Sequence, residues 1–102
     1  MKIMEFTEGG SLSIGGDSVF HVFGVSRKWV TLGIESLTQR RIRYGRRPKE
    51  WIDLGEVMST VKLKSDWWVH VGSDMGICVR FIRKGTATLG IAANPRLVIA
   101  RI

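Results

Sequence analysis

Cysteine is nearly absent from this 102-residue chain. Cys78 stands alone, which excludes an internal disulfide and a thiolate metal cluster within the chain, and its alternating surroundings suggest a small structural residue. No apolar run reaches the length that a bilayer-spanning helix needs. The opening segment, MKIMEFTEGG, places Glu5 and Glu8 where a secretory signal would need an apolar stretch, so a cytoplasmic location is expected. Catalytic constellations are missing too. No nucleophile and base are recognisable, and SLSIGG lacks both the lysine and the following helix of a phosphate loop. His21 and His70 fall on separate predicted strands without a carboxylate pair or second thiol, which favours structural roles over catalysis or metal binding. The expectation is a protein that is not an enzyme, with no metal and no cofactor.

Acidic residues are also few. Nine Asp and Glu stand against 16 Lys and Arg, giving a net charge of +7 and a pI near 10.3. In a small domain this excess favours polyanionic partners, chiefly nucleic acid. Arg40, Arg41, Arg43, Arg46, Arg47 and Lys49 crowd together, and such a run suits either a solvated loop or a binding surface.

What fills the chain is short apolar alternation punctuated by glycine, the pattern of strands and turns. Strands are predicted near Ile3 to Phe6, Ser11 to Ile14, Val19 to Val25, Val30 to Glu35 and Arg40 to Tyr44. A second set follows near Thr60 to Lys64, Trp67 to Val71, Gly76 to Ile82, Thr86 to Ala92 and Arg96 to Arg101. The two sets are the same module written twice. Ser11 to Tyr44 aligns without a gap onto Trp68 to Arg101, at a constant offset that maps Gly15 onto Gly72, Asp17 onto Asp74, Val22 onto Val79 and Thr31 onto Thr88. Leu32 with Leu89, Gly33 with Gly90 and Ile42 with Ile99 continue the series. Repeat one is thus 1–44, a connector 45–59, and repeat two 60–102. Each copy is too short to bury a core alone, so the halves are expected to share one. In the connector, Pro48 suits a first helical turn, and Trp51, Leu54 and Met58 follow at helical spacing. A short helix is expected there, with an irregular connector as the alternative prompted by Gly55.

With this strand order, the residues resemble the carbon storage regulator family, CsrA, also called RsmA or RsmE. Its pattern resembles GETLxIGDxVxVxVLGVxGxxVRIGVxAPxxVxVxR. In the first copy Gly9, Leu12, Ile14, Gly15, Val22, Gly24, Val25, Val30, Gly33 and Ile34 match it. In the second, Gly72, Val79, Gly85, Leu89, Gly90, Ile91, Ala93, Pro95 and Arg101 match. The resemblance implies a mainly β fold of two five-stranded repeats forming an intertwined pseudo-dimer, with the first strand of each half beside the fifth of the other. It also implies post-transcriptional regulation by binding single-stranded GGA elements in messenger RNA leaders and regulatory small RNAs.

Carried onto this chain, the resemblance sets Met4, Glu5, Phe6 and Thr7 against Arg96, Ile99 and Arg101 in one RNA site. The other would join Val61, Lys62, Leu63 and Lys64 to Arg40, Arg41, Ile42, Arg43 and Tyr44. Arg101 occupies the position of the family's principal RNA-binding arginine, whose planar guanidinium suits guanine or phosphate. The family's paired arginines at the end of the first strand are replaced by Phe6 and Thr7 and by Leu63 and Lys64, and Tyr44 stands where Arg101 has its counterpart. Two unequal sites are therefore expected. Those missing arginines also motivate the alternative of a protein-interaction module that pairs with a CsrA-type subunit or a flagellar antagonist. Trp67 and Trp68 are adjacent, so one should be exposed, for an interface or connector contact or for base stacking; Trp29 suits stacking or packing.

Overall fold

The computed structural model describes residues 1–36, 40–55 and 59–102. Among the described residues eleven strands form: β1 (Lys2–Thr7), β2 (Ser11–Ile14), β3 (Ser18–Val25), β4 (Val30–Ser36), β5 (Ile42–Gly45), β6 (Ile52–Gly55), β7 (Ser59–Leu63), β8 (Trp68–Val71), β9 (Met75–Arg83), β10 (Thr86–Ala93) and β11 (Ile99–Arg101). Alternation produces them. In β2, Leu12 and Ile14 are buried while Ser11 and Ser13 face outward, and in β7 Val61 and Leu63 point in while Lys62 points out. Period-two burial of this kind gives each sheet one apolar face, which a second sheet must cover.

Two antiparallel sheets result, in the orders β1-β10-β9-β8-β5-β6 and β11-β2-β3-β4-β7. Each sheet has three central strands from one half of the chain and takes an edge-side strand on either flank from the other half. Phe20, Leu32 and Ile34 from one sheet and Ile77, Leu89 and Ile91 from the other join a single core, as the length of each half predicts. β11 starts later than expected, since Arg96 lies in the preceding turn, and Arg40 precedes β5.

The connector departs from the predicted helix. It contains one 3-10 turn, Pro48–Glu50, and then β6, which pairs with β5 through Arg43 opposite Asp53 and Tyr44 opposite Ile52. An exposed β5 edge supplies backbone partners that three or four helical residues could not match. Gly55, at φ +89, suits the end of this strand better than a helix interior. Met58, the third residue of the predicted helical face, lies outside the described residues.

Both long hairpins carry a bulge. Register shifts between Val22 and Gly24 in β3, and in the β9–β10 pair between Thr88 and Leu89, opposite Phe81 and Val79, leave Phe23 and Arg80 as the extra residues. The bulge explains an apparent violation of apolar patterning: Phe23 stands exposed, stacked on His21 and lying over Gly33.

Candidate nucleic-acid interface

The first predicted site is assembled across the gap between the sheets. β1 is hydrogen-bonded to β10, with Phe6 opposite Ala87, and β11 to β2, with Arg101 opposite Leu12. These strands are therefore neighbours in space and not ladder partners, which refines the expected pairing of Met4 to Thr7 with the last strand. Both are edge strands, so each keeps one side of its backbone unpaired within its sheet. Phe6, only 2% exposed, is a core residue with no free face for a base, and the Arg101 guanidinium sits 4.3 Å from its ring centroid. Met4 is half-buried beside the core. Arg101 itself is exposed, with its guanidinium over the Phe6 ring. Arg96 lies in the turn before β11, where its backbone N–H donates to Asn94 Oδ1 at 3.0 Å and the Asn94 N–H donates to the Asp74 carbonyl at 2.9 Å.

The second predicted site is largely committed to structure. Arg40 spans the two β2–β3-type turns, donating from Nε to Asp17 Oδ2 at 3.1 Å and from Nη1 to Asp74 Oδ1 at 2.5 Å. Its proton is held more firmly than usual, chiefly by the Asp74 hydrogen bond, against the opposing effect of burial. Arg41 pairs with Asp53, whose carboxyl is held below the usual range first by the Gly55 N–H and then by Arg41. Arg43 lies 5.3 Å from the Trp51 ring centroid, and Tyr44 packs half-buried beside the core. β6 occupies the outer edge of β5, and the exposed cations of this set are Lys62, Lys64 and the Asp53-paired Arg41. The two edges differ: β6 of the connector pairs with the outer side of β5, whereas β11, the equivalent strand of the second half, ends its sheet.

Neither adjacent tryptophan is fully exposed. Trp67 meets Trp29 edge-on at 6.1 Å, with Lys64 Nζ 4.8 Å from the Trp29 centroid. Trp68 stacks on His70 at 5.3 Å, and Trp51 covers His70 at 4.3 Å. Burial first, and the Arg43 charge second, hold the His70 pKa below its ordinary value of 6.5. The folded chain then binds fewer protons at His70 than the unfolded chain, so stability falls as pH drops from about 6.5 towards the folded pKa. Urea midpoints measured from pH 8 to 5 should show that loss, and His70→Gln should flatten it. A slope unchanged in His70→Gln would remove His70 as its source.

Burial pushes the Cys78 thiol up, as befits a structural residue. Among the described residues no cluster of His, Cys, Asp and Glu could hold a metal, and no helix is long and apolar enough to cross a membrane. The cations that sequence reasoning passed over are Arg27, Lys28, Arg83 and Lys84, which line grooves at the hairpin tips. A signal was present: an Arg-Lys pair stands at each tip, but one position out of the repeat's register. The geometry thus defines a basic two-sheet β protein in which Arg101, on an edge strand of one sheet, lies over Phe6, on an edge strand of the other. No family model matches the chain, and neither a curated protein nor a solved structure matches it.

Proposed function

We propose that the chain is a tandem, single-chain counterpart of a CsrA-type dimer that binds single-stranded GGA-like RNA elements and regulates messages post-transcriptionally. The observation that carries this reading is the contact of Arg101 on Phe6, which brings together β1 and β11, two edge strands each with one unpaired side within its sheet. Edge carbonyls and N–H groups can read unstacked bases, and a positioned guanidinium can grip guanine or phosphate. The exchange of strands between halves, together with the net charge of +7, supports the same reading.

Titration with a GGA-loop RNA and its scrambled counterpart tests it. Preference for the GGA loop is expected, and Arg101→Ala should lower that affinity about tenfold or more, with the fold intact. Absence of binding to either RNA at low salt would sink the proposal; equal binding would reduce it to nonspecific affinity. Light scattering should show a monomer.

A protein-docking function is the second reading. Val98 and Ile102, each 72% exposed, flank β11, and a free strand edge with apolar flanks also accepts a protein strand. Pull-down of RNA without a protein partner would count against it.

A further inference from the structure

The end of the molecule opposite the Arg40 bridge has its own chemistry. There the Ser26–Trp29 turn, between β3 and β4, meets the Lys84–Gly85 turn, between β9 and β10, and the two line a shared groove. The second turn is tight because both residues adopt left-handed backbone, at φ +46 and +78, which projects Lys84 away from the sheet. Arg27, Lys28, Arg83 and Lys84 crown this pole, and none forms a salt bridge with a described residue. Lys64 adds a fifth cation over Trp29. Glu5, Glu8 and Asp66 are the carboxylates that the ladders and turns bring towards this pole, against five cations, so positive charge is in surplus. In the adjoining groove the Phe81 ring is 65% exposed, beside Arg83 and Thr86.

From these observations we infer that the hairpin-tip pole is a second contact surface for single-stranded RNA, gripping phosphates with the two Arg-Lys pairs and stacking a base on Phe81. It rests on the RNA-binding reading above and extends its path. β1 leads there directly, since Phe6 lies opposite Ala87 and Thr7 opposite Thr86, next to the Lys84–Gly85 turn. A strand leaving Arg101 along this edge therefore arrives at the pole. Unpaired cations beside an exposed ring suit a chain of alternating phosphates and flat bases, and the surface holds no base-edge code, so it is expected to bind without sequence preference.

The test uses the full chain and a fluorescent oligouridine of about 12 nucleotides, a length suited to such surfaces. Arg27→Gln combined with Lys84→Asn should weaken oligouridine binding about tenfold, and should flatten the slope of log affinity against log salt by about 1.4 for two lost phosphate contacts. Phe81→Ala should weaken it about fivefold or more. Arg101→Ala should lower affinity for the GGA loop several-fold more than affinity for oligouridine. Unchanged oligouridine affinity and slope in the double variant, with Arg101→Ala still lowering GGA-loop affinity, would overturn the pole alone. Equal binding of a polyglutamate of similar length would overturn RNA as its occupant. If the parent chain binds neither RNA, both proposals fall.

Discussion

Phe6→Ala is expected to destabilise the fold by about 3–5 kcal/mol, the range for truncating a buried phenylalanine. The alternation of β1 sends Phe6 into the shared core, where it is 2% exposed. Gly10 permits its close packing, because a Cβ at that position would come within 2.8 Å of the ring. Truncation therefore opens a cavity where β1 of one half covers strands of the other. Urea unfolding followed by tryptophan fluorescence would measure it, and a loss below about 1 kcal/mol would show that the site collapses freely. Phe6→Leu separates packing from function. It keeps an apolar side chain, costs about 1 kcal/mol, and removes the ring beneath Arg101. A fall in GGA-loop affinity in this stable variant would mark Phe6 as a positioning residue for Arg101.

Arg40→Ala is the second large effect, a loss of about 2 kcal/mol. Its guanidinium donates to Asp17 and Asp74, equivalent residues of the two copies, and so ties the two halves together at one pole. Removing it strips two half-buried carboxylates of a charge-assisted donor and leaves them near each other. The bridge is partly solvated, so the loss should remain below that of a fully buried pair. Chemical denaturation measures the loss, and Asp74→Asn in the same chain should recover part of it by removing one of the stranded charges. No recovery would mean that Arg40 acts through its packing over Gly72.

Much of the framework was legible because its signals are local. Alternation placed ten of the strands near their observed positions, and the glycine turns fell where left-handed backbone is needed, as at Gly15 and Gly72. The connector was misread for a physical reason. Trp51 and Leu54 satisfy helical spacing, but they also suit a short strand, and the choice depends on whether an unpaired edge is at hand. β5 supplies that edge, and nothing in residues 45–55 announces it.

The basic cluster teaches the same lesson in charge. Arg40, Arg41 and Arg43 looked alike in sequence, yet Arg40 bridges two turns, Arg41 pairs with Asp53 and Arg43 faces Trp51. A cation's role is decided by which carboxylates and rings the fold brings to it. Those partners lie between 8 positions away, for Trp51, and 34, for Asp74.

The sequence by itself determined the mainly β class, the duplication pattern, the shared core and the surplus of positive charge, since these follow from composition and from period-two alternation. Only the tertiary structure decided which arginines remain at the surface, that β6 closes one of two equivalent edges, and that both Arg-Lys tips meet at one pole. Those outcomes depend on long-range pairing between halves, in which each strand's neighbour is chosen by the whole sheet and not by the residues beside it in the chain.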